Sequence, residues 1–82
     1  MRAYNQGCHV RVTVSERDIA AFKRAWPCSG LPERSVGFLF DARNGDLIDI
    51  WPSSVDGEAA LALSYAAQNY AAAKLDNANL KR

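Results

Sequence analysis

Residues 35–51, SVGFLFDARNGDLIDIW, constrain the fold more than any other stretch. Two runs of strand-forming residues flank Asn44-Gly45, a pair that favours the tight turn of a hairpin. Register then decides which side chains are buried, because a one-residue slip moves each of them to the opposite face. A two-residue Asn-Gly loop places Phe40 opposite Asp49. A three-residue loop, Arg43-Asn44-Gly45 with Gly45 in a left-handed bulge, places Phe40 opposite Ile48 and Phe38 opposite Ile50. The second arrangement gathers Val36, Phe38, Phe40, Ile48 and Ile50 on one face and is the expected one.

Upstream, HVRVTV alternates in the same way, with Val10, Val12 and Val14 on one side and Arg11 and Thr13 on the other. That period of two marks a half-buried strand. Residues 1–7 carry no such pattern and are expected to be a loose start. Ser15 with Asp18 three residues on resembles a capping box. It opens a helix over 16 to about 26 whose apolar positions Ile19, Phe22 and Trp26 share one face. Pro27 ends that helix, because the residue before a proline avoids helical geometry. The segment WPCSGLP is therefore a corner, with Gly30 permitting a left-handed turn, Cys28 buried as a small apolar side chain and Trp26 closing the bottom of the core.

A second helix is expected from Asp56-Gly57 to about Leu75, capped by Asp56 or Ser54. Its alanines give it high intrinsic propensity. A small face of Ala59, Ala66 and Ala73 beside Leu63 and Tyr70 suits close approach to a sheet, and Leu61 and Tyr65 fall on a second side with Gln68 and Ala72. Residues 76–82 are expected to fray. The order β-α-β-β-α predicts a single α+β domain over 1–82: a three-stranded, mostly antiparallel sheet with both helices on one face. The HVRVTV strand is expected beside the DLIDIW strand, in a split β-α-β arrangement; pairing with the SVGFLFD strand is the alternative.

The outer face of that sheet is where function is expected. It would carry Arg11, Thr13, Leu39, Asp41, Leu47, Asp49 and Trp51. Leu39, Leu47 and Trp51 exposed together, rimmed by Arg11, Asp41 and Asp49, form a candidate protein-binding surface or homodimer face. Formal net charge is only +1, spread as +3 over residues 1–34, −4 over 35–60 and +2 over 61–82. That balance speaks against a strongly basic nucleic-acid binder. The alternative is a basic edge of Arg17, Lys23, Arg24 and Arg34 around the first helix, without a helix-turn-helix or aromatic RNA-binding motif to support it.

Chemistry finds little purchase. His9 lacks a metal-ligand partner at helical or hairpin spacing, so no metal is expected. Cys28 has no CxxC companion, and a helix C-terminus raises a thiol's pKa. Asp41, Asp46 and Asp49 do not match a calcium loop, and aspartates in turns commonly bond the local backbone. No phosphate-cradling glycine loop or nucleophile elbow is present. No catalytic residue and no cofactor are expected. No apolar h-region or membrane-length apolar run is visible, so the expected setting is the cytoplasm, with the two cysteines reduced and a Cys8–Cys28 disulfide left as an option.

WPCSGLP, followed by Phe38-Leu39-Phe40-Asp41, Asn44-Gly45-Asp46-Leu47-Ile48-Asp49 and Asp56-Gly57 before an alanine-rich helix, resembles a group of small uncharacterised proteins of bacteria and their phages. The resemblance covers roughly residues 10–73. It implies a mobile-element setting and no catalysis. Phage-borne proteins of this size commonly act by stoichiometric binding to a host protein or a defence complex, and an inhibitor of the anti-CRISPR kind belongs to that class.

Overall fold

The computed structural model describes residues 1–27, 31–55 and 57–75. In chain order the elements are β1 (Arg2–Gln6), β2 (His9–Val14), α1 (Glu16–Ala25), β3 (Val36–Asp41), β4 (Leu47–Trp51) and α2 (Gly57–Leu75). The four strands form one antiparallel sheet in the order β1-β2-β3-β4. The α+β class holds, with four strands where three were expected.

The added strand is β1, built from residues read as a loose start. It pairs Arg2 with Thr13 through Gln6 with His9, leaving Gly7-Cys8 as a two-residue hairpin loop. Gly7 has φ +66°, the left-handed conformation that such loops require at their first position. Polar side chains hide this strand from a pattern search. RAYNQ has no apolar alternation, and an edge strand needs none.

β2 pairs with β3, not β4, so the alternative strand order is the correct one. The reason is burial. Val10, Val12, Val14 and Val36 are fully buried, and Phe38 and Phe40 nearly so. Two strands with so apolar a face belong in the centre, each covering the other. Placing β4 between them would have left Phe38 and Phe40 on an edge.

The β3–β4 hairpin also departs from expectation. Its loop is four residues, not three. Asp41 N–H donates to Asp46 O (2.8 Å), and Gly45 N–H donates back to Asp41 O (2.8 Å). Gly45 takes φ +79°. The ladder therefore starts with Phe40 opposite Leu47, and a bulge at Ile48 restores the pairs Leu39–Asp49 and Phe38–Ile50. Phe38 opposite Ile50 is as expected; Phe40 opposite Ile48 is not, and Ile48 is exposed. One further residue in the loop is cancelled by one further residue in the strand.

Helix α1 begins at Ser15, whose hydroxyl accepts from Asp18 N–H (3.2 Å). The Asp18 carboxylate takes the ammonium of Met1 at 2.6 Å, which holds its pKa below the ordinary value, and Tyr70 O–H donates to Met1 O (2.6 Å). Both helices thus meet the start of β1. The helix stops at Trp26, with φ −138° and ψ 77° ahead of Pro27. That turn of the backbone swings the indole off the Ile19 stripe. Trp26 is exposed and tilts against Phe22 at 5.9 Å, so it does not close the core. Leu31, from the same corner, is buried instead. Cys28 and Gly30 lie outside the described residues, as do the proposed cap Asp56 and the tail 76–82; Cys8 carries a free, exposed thiol.

Helix α2 packs across β1, β2 and β3. Its buried stripe is Ala59, Ala60, Leu63, Ser64, Ala67, Gln68, Ala71 and Ala72. Ala66 and Ala73, assigned to the small face by a seven-residue step, are exposed. Alanine stands on every side of this helix, so the sequence offers no apolar contrast from which to read the true stripe. The buried polar side chains are satisfied: Ser64 O–H donates to Leu61 O (2.7 Å), and Gln68 Nε2 donates to Gly45 O at the hairpin tip. Leu61 and Tyr65 stand exposed on the flank of α2, whereas Gln68 and Ala72, expected on the same side as them, are buried.

The stripe yields a direct test. Ala67→Leu should overfill the helix–sheet contact and cost about 1–3 kcal/mol. Ala66→Leu, one residue earlier, should stay within about 0.5 kcal/mol of wild type. Urea denaturation of the two variants measures the difference.

Candidate functional site

The pleat sends every second side chain of the sheet away from the helices. Cross-strand pairing arranges those side chains in rows. One row is Arg2, Thr13, Gly37 and Trp51; the next is Tyr4, Arg11, Leu39 and Asp49; the third includes Gln6, His9 and Asp41. Neither helix covers this face, because both contribute to the core on the other side.

Trp51 dominates it, with 59% of its surface exposed. The ring is not loose: the Arg34 guanidinium lies 4.9 Å from its centroid, a cation–π contact. Beside it runs a shallow groove of about 370 Å³ whose walls include Arg11, Thr13, Leu39, Asp49 and Trp51. Its floor is Gly37, placed between Thr13 and Trp51 in the pairing. With no side chain there, the sheet backbone itself is exposed to a ligand.

The sequence-derived surface is thus largely assembled. Arg11, Leu39, Asp49 and Trp51 share the groove, and Asp41 lies one row further along the same face. Leu47 does not belong with them. Its partner is Phe40, so the pairing puts it on the helix side of the sheet, although 40% exposed at the edge. The four-residue loop caused the error, since the expected three-residue loop turns Leu47 outward. Two contributors were missed. Tyr4, 42% exposed opposite Arg11, sits on the unpredicted strand, which no local pattern marks. Arg34 was grouped with α1.

That basic grouping is divided. Arg17 and Arg24 are exposed on α1, Lys23 lies 3.7 Å from Glu33, and Arg34 stands over Trp51 on the sheet's outer face. The depression beside α1 mixes Glu16 and Glu33 with Lys23 and Arg24, which leaves it without a dominant sign.

The hairpin carboxylates are also separated by role. Asp41 binds Arg43 three ways: backbone N–H to Oδ1 at 2.8 Å, Nε to Oδ1 at 3.3 Å and Nη2 to Oδ2 at 3.1 Å. These bonds, the side-chain ones foremost, hold its pKa below the ordinary value. Asp46 N–H is bonded to Asn44 Oδ1 (2.9 Å) in the same turn, and Asp49 stands apart on the groove wall. Among the described residues no group of three His, Cys, Asp or Glu is placed to hold a metal ion, and no helix is long and apolar enough to cross a membrane. Comparison of the chain with protein-family models, curated proteins and solved structures yields no match in any of the three.

The Asp41–Arg43 clasp carries a pH signature. A depressed folded-state pKa stabilises the fold above the unfolded aspartate value, and that contribution is lost as pH falls through the folded value. Carboxyl NMR titration should find the Asp41 midpoint below the ordinary aspartate value, and Arg43→Ala should move it upward.

Proposed function

We propose that this chain is a small non-enzymatic protein-binding module whose outer sheet face, centred on Trp51, holds a host protein or defence complex by stoichiometric contact. A phage or other mobile-element origin and an inhibitory outcome are part of the same reading, and rest on the sequence resemblance. The observation that carries the binding role is the exposed, arginine-clamped Trp51 beside the groove. Burying an indole in a partner releases a large apolar area from water, and a ring already held in place loses little freedom on binding. Tryptophan and arginine are the side chains most enriched where interfaces concentrate their binding energy. Tyr4 and Leu39 extend the apolar surface, and Arg11 and Asp49 supply a polar rim.

Affinity capture from lysate of the source cells, with wild type and Trp51→Ala side by side, tests this. The variant should keep the circular dichroism of the wild type, because Trp51 is mostly exposed. Loss of a central tryptophan should weaken the captured complex at least about 30-fold. A partner held equally by both proteins would remove the outer face from consideration.

A further inference from the structure

Resting on that reading, we propose that the groove takes an acidic, extended segment of the partner protein. Its carboxylates would meet Arg11 and Arg34, and an apolar side chain would lie on the Gly37 floor between Leu39 and Trp51. Charge is the first support. The ion pairs among the described residues are Met1–Asp18, Lys23–Glu33 and Arg43–Asp41. Arg2, Arg11 and Arg34, the cations of this face, take part in none of them. Asp41 is already neutralised by its bidentate arginine, which leaves Asp49 as the one aspartate of the described outer rows outside an ion pair. Arg11 and Asp49 balance within the groove itself, and Arg34 over Trp51 and Arg2 at the edge of the face add a surplus of positive charge at its borders; arginine binds carboxylates in a fixed fork geometry.

Shape is the second support. A floor without a side chain, flanked by Thr13 and Trp51, admits one side chain of an extended chain lying across the strands. The Thr13 and Ser35 hydroxyls on its border are available to a peptide backbone. A nucleic-acid strand fits less well. Its phosphates repeat along the whole ligand, whereas Arg2, Arg11 and Arg34 are separate points on the face, with Asp49 among them. An acidic peptide needs favourable charge at two points only.

Gly37 makes a clean probe. Its φ is not positive, and an added Cβ would meet nothing nearer than Trp51 O at 3.9 Å, an ordinary contact. Gly37→Ala should intrude on the groove without straining the strand. Fluorescence anisotropy would compare three labelled probes: a short peptide alternating glutamate and leucine, its lysine-leucine counterpart, and a single-stranded oligonucleotide. The glutamate peptide should bind at least about tenfold tighter than either other probe, and Arg11→Gln and Gly37→Ala should each weaken it about tenfold with melting temperatures held. Equal or tighter binding of the lysine peptide would overturn the acidic partner and leave the protein-binding face standing. Preference for the oligonucleotide would overturn both. No binding of the glutamate peptide, or binding indifferent to both variants, would overturn the acidic-segment proposal, while lysate capture with Trp51→Ala independently decides the face.

Discussion

Three cross-strand pairs, Val10–Phe40, Val12–Phe38 and Val14–Val36, hold the rest of the molecule in place. All six side chains are at most 1% exposed. Burying each contributes about 1.5–3 kcal/mol, and directly opposed apolar residues gain further from one another. A slip of one residue would turn all of them to water, so the register of β2 on β3 has no close competitor. Everything on the outer face inherits its position from that choice. Arg11 stands next to Leu39, and Gly37 between Thr13 and Trp51, because their neighbours on the strand are locked inside.

The helices complete the core by different means. α2 supplies small side chains, so its backbone lies close to β1, β2 and β3, and Gln68 fastens it to the tip of the β3–β4 hairpin. α1 is short, presents Ile19 as its one buried residue and relies on Phe22 and the loop residue Leu31 for the remainder. Asp18 and Tyr70, one from each helix, converge on Met1. The edge strand β1 is thereby tied to the layer above it at the end away from its turn.

Much of this was legible before the structure. Alternating valines announced β2, Asn44-Gly45 announced the hairpin, and Ser15 and Pro27 bracketed α1. The unread parts share a cause: they depend on partners, not on local pattern. RAYNQ becomes a strand because β2 offers it an open edge. The stripe on α2 is chosen by the sheet, since alanine is almost equally willing to be buried on any side. Leu47 faces as it does because the loop holds one residue more than the three-residue turn the sequence favours. The Arg34–Trp51 contact joins residues seventeen positions apart across a corner, which no spacing rule anticipates. The face itself, by contrast, followed from alternation alone for Arg11, Leu39, Asp49 and Trp51.

The bulge at Ile48 has a consequence for how the molecule meets others. β4 is an edge, and an unbroken edge with exposed leucine, isoleucine and tryptophan would template further strands from any neighbouring chain. An inserted residue breaks the regular alternation of donors and acceptors and adds local twist, so an incoming straight strand finds its hydrogen bonds out of step. At this edge the bulge opposes indiscriminate growth by backbone pairing. The outer face offers side chains, which can tell one partner from another, where an unbroken edge would offer backbone, which cannot.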